Sequence, residues 1–236
     1  MRPEDRLIVA LDVSSAVEAL KIVRALSPSI SIYKVGNQLF TGEGPAIVRE
    51  LVRSGKKIFL DLKFHDIPNT VANGVRSAAE MGVSMLTVHA AGGPAMLRGA
   101  VEAAREARNP PMILAVTVLT SLSDADLRDI GVPKRTRDHA LVLATLAQSS
   151  GCDGVVASPQ EARLIRQNLG AGFAIVTPGI RPAGSVKGDQ ARVNTPAEAI
   201  AAGADYLVVG RPITEAADLN RAAEEITGEI ERAEKN

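Results

Sequence analysis

Eight short, nearly continuous apolar runs alternate along the chain with longer segments of helical period, and this alternation narrows the fold more than any other feature. Strands covered by helices on both faces read as unbroken apolar runs, so the pattern points to a parallel sheet. The runs predict strands over 7–11, 30–35, 57–62, 84–88, 112–119, 154–157, 174–177 and 206–209. Apolar positions three and four apart predict helices over 17–26, 45–53, 70–81, 95–107, 137–149, 159–168 and 196–202, and a charged amphipathic helix over 216–233. Ser54-Gly55, Met81-Gly82, Ser150-Gly151 and Ala202-Gly203 each stand just before a strand, where a helix ends on a residue that accepts positive φ. Eight such units fit a closed (β/α)8 TIM barrel best, an α/β fold that typically takes about 250 residues. The expected organisation is a single barrel domain over 1–236, without linker or low-complexity tract. An open doubly wound sheet would show fewer strands and a G-x-G-x-x-G turn after the first. Here that strand ends Leu11-Asp12-Val13-Ser14-Ser15.

Charge and composition remove other classes. The 236 residues carry 27 basic and 27 acidic side chains, with no Trp, two Tyr and four Phe. Nucleic-acid binding ordinarily leaves a positive surplus and uses aromatic faces for stacking, so no nucleic-acid partner is expected. No apolar stretch approaches the roughly 20 residues of a membrane helix, and Met1-Arg2-Pro3-Glu4-Asp5 puts acids where a signal peptide starts basic. No membrane partner is expected. The single Cys152 can form no internal disulfide, which points to a reducing compartment with cytoplasm as the default.

In such a barrel the chemistry belongs where strands end at their C-terminal face, and the ends here are polar. Strand one ends in Asp12, strand two in Tyr33-Lys34-Val35-Gly36, strand three in Asp61-Leu62-Lys63-Phe64-His65-Asp66, strand four in His89, and strand eight in Gly210-Arg211. Asp61 and Lys63 stand two apart, so an ordinary pleat sends both side chains to one face and Leu62 to the other. With Leu62 outward against helices, both charges point into the barrel mouth, where Lys34 from the adjacent strand can alternate with them. Buried charges must pair with each other or with a ligand. The competing reading of D-L-K is a surface ion pair worth at most about 1 kcal/mol. For Asp12, an N-cap to the following helix and a ligand contact stand equal. The direction of Asp66, beyond the strand, cannot be read from period.

Gly210-Arg211-Pro212 directly after the last strand has the makings of a phosphate site: backbone N–H groups close to an anion, and a bidentate arginine. An arginine that merely caps the barrel rim is the alternative. The Gly- and Pro-rich stretch 178–193, bearing Arg181, Lys187 and Gln190, follows strand seven, and loops of that length are commonly functional. His65, His89 and His139 form no metal-ligand spacing, so no metal is expected. There is no G-x-S-x-G elbow, and Cys152 sits at the entrance to strand six, away from the chemistry, as a small buried hydrophobe.

The run Asp61-Leu62-Lys63-Phe64-His65-Asp66-Ile67-Pro68-Asn69-Thr70 resembles the signature of the orotidine 5'-phosphate decarboxylase family. Asp12, Lys34 in Tyr-Lys-Val-Gly, Thr117 to Ser121, Pro178-Gly-Ile-Arg181, Gln190 and Val-Gly-Arg-Pro212 fall in the same order, so the resemblance spans essentially the whole chain. It implies decarboxylation of orotidine 5'-phosphate to UMP without metal or cofactor, with Lys63 as proton donor to C6 and Asp61, Asp66 and Lys34 completing a charged network. It also implies that Asp12 and Lys34 meet the ribose hydroxyls, Thr120 the pyrimidine ring, and Arg181, Gln190, Gly210 and Arg211 the phosphate. Ser121 stands beside Thr120 as an alternative ring contact. By the same resemblance Asp66, with Thr70 nearby, reaches the active site of a partner subunit, which implies a homodimer with shared sites.

Two other readings compete. Magnesium-dependent sugar-phosphate decarboxylases or synthases resemble this skeleton, but they place a metal-binding carboxylate where this chain has Lys34, and a cation there repels magnesium. A non-catalytic nucleotide-binding barrel would keep Gly210-Arg211 but has no reason to carry both Asp61 and Lys63.

Overall fold

The computed structural model describes residues 1–182 and 194–235. Its eight strands are β1 (Leu7–Ala10), β2 (Ile32–Gly36), β3 (Lys57–Phe64), β4 (Met85–His89), β5 (Met112–Val116), β6 (Gly154–Val156), β7 (Ala174–Thr177) and β8 (Tyr206–Val209). All pair in parallel and in sequence order, and β8 returns to β1 through Leu7 opposite Leu207, which closes the barrel. Among the described residues eleven α-helices flank the strands: α1 (Ala16–Ala25), α2 (Asn37–Glu43), α3 (Pro45–Arg53), α4 (Pro68–Glu80), α5 (Gly93–Arg105), α6 (Asp124–Asp129), α7 (Thr136–Ser149), α8 (Pro159–Leu169), α9 (Pro196–Ala201), α10 (Arg211–Thr214) and α11 (Leu219–Glu234). The expected (β/α)8 TIM barrel is the observed fold.

Period two sorts each strand into two cores. Leu7, Val9, Tyr33, Val35, Ile58 and Leu60 point outward into the layer shared with the helices. Ile8, Ala10, Ile32, Phe59, Met85, Leu114, Val176 and Val208 fill the barrel interior. Followed toward the C-terminal ends, the inward positions turn polar: Ile8 and Ala10 lead to Asp12, Ile32 to Lys34, Phe59 to Asp61, and Met85 to Thr87. An apolar plug therefore closes one end while charge gathers at the other. At the opposite end, the carboxylates of Asp153 and Asp205 accept the N–H groups of Ile113 and Ile175 at 2.7 and 2.8 Å, tying the turns that precede β6 and β8 to the neighbouring strands β5 and β7.

The four glycines expected to end helices have φ of 81, 83, 86 and 99°, at Gly55, Gly82, Gly151 and Gly203 respectively, a region that costs other residues strain. Three strand boundaries differ from expectation by two residues or more, and the last helix starts at Leu219 rather than at 216. The second strand starts at Ile32 rather than at 30. The fifth stops at Val116 rather than at 119, because Thr117 turns its hydroxyl to donate to the Val156 carbonyl at 3.0 Å and the chain then leaves the sheet. The third runs on to Phe64, two residues past the expected end, through an irregular stretch described below. Lys187 and Gln190 lie outside the described residues.

Candidate active site

Four charged side chains from three adjacent strands meet at the mouth. Lys34 Nζ lies 2.7 Å from Asp12 Oδ1 and 3.8 Å from Asp61 Oδ2, and Lys63 Nζ donates to both oxygens of Asp61 at 2.9 Å. The row reads carboxylate, ammonium, carboxylate, ammonium, so its formal charges cancel. Cancellation matters because Lys34 and Glu161 are the only charged side chains buried among the described residues, and a buried unpaired ammonium is strongly destabilising. Asp12 does not cap the following helix. Ser15 takes that role, its hydroxyl accepting from the Glu18 N–H at 3.3 Å, which leaves Asp12 to Lys34. The surface-pair reading of Asp61 and Lys63 also fails, since the Asp61 side chain is only 13 % exposed.

Lys63 does not reach Asp61 by a plain pleat. Its φ is 53°, and it is the one described residue other than glycine with positive φ. Pairing of β3 with β4 runs from Leu60 opposite Leu86 to Phe64 opposite Val88, so β3 spends two extra residues over this stretch. The displaced Lys63 N–H donates to Thr87 Oγ1 at 2.9 Å, and the same hydroxyl donates to Asp61 Oδ1 at 3.0 Å. Thr87 escaped the sequence reading. Its signal was a lone hydroxyl at an inward position of the apolar run Met85 to Val88. Gly36 stood in the run that ends strand two, but its role did not show there: a Cβ on it would stand 3.0 Å from Lys34 Nζ and 3.1 Å from Asp12 Oδ1.

The charged row floors a cleft with two lobes. The larger, about 580 Å³, is lined by Asp12, Lys34, Pro178, Arg181, Gly210 and Arg211 among others. The smaller, about 160 Å³, lies over Lys63, with Phe59, Val116, Val156 and Val208 as apolar walls and Thr120 at its edge. Lys34, Asp61, Pro178 and Val208 belong to both lobes. The geometry thus offers an apolar slot against an ammonium, joined to a polar lobe that two arginines line. Thr120 lines the slot among the described residues, whereas Ser121 is exposed and does not.

Asp66 and Thr70 are not part of this cluster within one chain. Residues 65–70 are all exposed, and Asp66 Oδ1 accepts from the Ile67 N–H at 2.6 Å. His89, whose ring centroid lies 5.2 Å from that of His65, is held below the usual histidine range by burial, reinforced by His65 and Lys63 and opposed by Asp61. Burial pushes the Cys152 thiol up to about 12, so it carries almost no thiolate near neutrality. Among the described residues no three His, Cys, Asp or Glu side chains gather to hold a metal ion, and no helix is long and apolar enough to cross a membrane.

Comparison with known proteins joins this geometry to a family. Residues 5–226 match the sequence profile of the orotidine 5'-phosphate decarboxylase / HUMPS family. The chain is 52% identical over 232 residues to an orotidine 5'-phosphate decarboxylase of Vibrio cholerae serotype O1, covering 96% of this chain and 99% of the relative. It is likewise 52% identical to that of Moorella thermoacetica, covering 98% and 94% of the two chains. The crystal structure of the Lactobacillus acidophilus enzyme of that name superposes with a TM-score of 0.86 at 42% identity, covering 95% of this chain and 98% of the other.

Proposed function

The chain belongs to the orotidine 5'-phosphate decarboxylase / HUMPS family, and from that premise we infer that it is the carboxy-lyase that converts orotidine 5'-phosphate to UMP in pyrimidine biosynthesis. The observation that carries the reading is the row Asp12, Lys34, Asp61, Lys63 laid beneath a two-lobed cleft. We propose that the pyrimidine occupies the apolar slot with C6 toward Lys63, the ribose lies over Asp12 and Lys34, and the phosphate meets Arg181, Gly210 and Arg211, joined by Gln190.

Breaking the bond from C6 to the carboxylate releases CO2 and leaves an electron pair in the ring plane, out of reach of the π system. The protein must stabilise that pair electrostatically. An ammonium at about 4 Å and an effective dielectric near 20 contributes about 4 kcal/mol before desolvation. Lys63 then gives its proton to C6 and remains as the neutral amine. Lysine suits the task because its compact ammonium can lose a proton, which guanidinium almost never does. Asp61, bonded to Lys63 through both oxygens, keeps the ammonium aimed. The phosphate, far from the reacting carbon, supplies binding energy that holds the ring in register, and such remote binding raises the rate of the chemical step itself.

The proposal extends to a metal-free reaction, a single barrel domain, a cytoplasmic setting and a homodimer. Lys34 beside Asp12 supports the first, because a second cation is repelled there. The exposed run 65–70, with Ile67 67% exposed and Asp66 Oδ1 bonded to the Ile67 N–H, supports an interface that delivers Asp66 and Thr70 to the neighbouring site. Incubating the purified protein with orotidine 5'-phosphate in EDTA tests the activity: UMP should accumulate. Loss of turnover in EDTA and rescue by magnesium would favour the metal-dependent sugar-phosphate enzymes instead. Mixing inactive Lys63→Ala and Asp66→Ala proteins tests the dimer, since one intact site per mixed pair should restore turnover. No recovery despite proven subunit exchange would contradict shared sites.

A further inference from the structure

We infer that Thr87 is a positioning residue for this reaction, its single hydroxyl fixing both the backbone of Lys63 and the carboxylate of Asp61; the inference rests on the decarboxylase reading above. Three observations converge on that atom. Lys63 holds a left-handed backbone, which a non-glycine residue keeps only where its surroundings over-determine it. The extra residues in β3 take the Lys63 N–H out of the regular ladder with β4, and a buried N–H must find another acceptor. Thr87 Oγ1 is that acceptor at 2.9 Å, and its own proton goes to Asp61 Oδ1 at 3.0 Å.

A hydroxyl has one proton to give and lone pairs to accept with, so Thr87 can serve both partners at once. Its β-branched side chain has few χ1 options, and the residue is fully buried, so the hydroxyl cannot swing away. Asp61 is thereby held on three sides: by Thr87 on Oδ1, by Lys63 on both oxygens, and by Lys34 3.8 Å from Oδ2. One atom from a neighbouring strand thus bears on both the strained backbone at Lys63 and the orientation of its counter-ion. Remove that atom and the Lys63 backbone is free to relax toward an ordinary strand, carrying Nζ away from the slot.

The test compares Thr87→Val, which keeps the shape and loses the hydroxyl, with Thr87→Ser, which keeps the hydroxyl. Steady-state turnover of orotidine 5'-phosphate and calorimetric binding of UMP are measured on each. Thr87→Val should lower kcat by about 10²-fold, the scale of a 1 Å misplacement, with UMP affinity within about 3-fold of the parent. Thr87→Ser should recover most of the kcat. If the valine protein does not fold, Thr87→Ala against Thr87→Ser makes the same comparison, and the serine protein should be the faster by at least about 10-fold. Undiminished kcat in Thr87→Val, or equal losses in the serine and alanine proteins, would overturn the role of Thr87 while leaving an active parent enzyme. A parent that makes no UMP would overturn the functional reading and the role of Thr87 with it.

Discussion

Lys34 Nζ sits 2.7 Å from Asp12 Oδ1, and the space beside that contact is kept open by the absence of a side chain at Gly36. The φ of Gly36 is −102°, a value any residue adopts, so its need for glycine is one of room and not of backbone freedom. Gly36→Ala should push the ammonium off Asp12, weakening a charge-assisted contact of about 1.5–3 kcal/mol and lowering kcat/KM by about 10- to 10²-fold. Thermal unfolding should change little by comparison. Steady-state kinetics with circular dichroism melts checks both; unchanged kinetics would mean the pair is not needed for ribose binding.

Arg211 should matter to the chemical step as well as to binding. It lines the larger lobe and not the slot over Lys63, so uniform binding would predict a change in KM alone. Remote phosphate binding that is spent on orienting the ring predicts more. Arg211→Ala should raise KM and also lower kcat, with kcat/KM falling by at least about 10²-fold. An altered KM with intact kcat would limit Arg211 to uniform binding.

Acid should destabilise the fold through His89. Burial, with His65 and Lys63 nearby, holds its pKa below the usual 6.5, so the unfolded chain takes up a proton first. The sign follows: above about 6.5 both states are neutral and there is no penalty, and as pH falls from there toward the depressed value, stability is lost. His139 shifts in the same direction through burial and Lys134, so replacing His89 removes only part of the effect. The melting temperature of His89→Gln should therefore fall less steeply than that of the parent between pH 7 and pH 5, as measured by scanning calorimetry in matched buffers. Parallel slopes would contradict the assignment.

Cys152 should be inert in the folded enzyme. Its thiol is 6% exposed and titrates at about 12, so at pH 8 the thiolate fraction is on the order of 10³-fold below that of an open cysteine. Ellman's reagent should label it only in denaturant, and iodoacetamide should leave turnover intact. Rapid native labelling would mean that β6 opens locally.

The sequence discloses most of the architecture because parallel strands buried on both sides leave a strong apolar signature, and because Gly55, Gly82, Gly151 and Gly203 mark the ends of the preceding helices. What it hides is local. The helix Asn37–Glu43 has only Leu39 buried and starts from Gly36 without a capping side chain, so no period betrays it. The helix Asp124–Asp129 is closed by a capping box of Ser123 and Asp126, but it is short enough to pass for loop. Alternation placed Asp61 and Lys63 together, yet they meet through an irregular turn of β3 that alternation does not contain. Thr87 and Gly36 act through contacts to other strands, and such contacts leave no mark in the spacing of their own.

The central claim is that the Lys63 ammonium stabilises and protonates the carbon that loses CO2. Its most direct test is single-turnover decarboxylation of orotidine 5'-phosphate by Lys63→Ala beside the parent, with UMP binding measured on the same samples. The account predicts that the variant binds UMP and loses turnover by about 10³-fold or more, the combined scale of a lost proton donor and a lost electrostatic contact. A variant that forms UMP at the parent rate would contradict it.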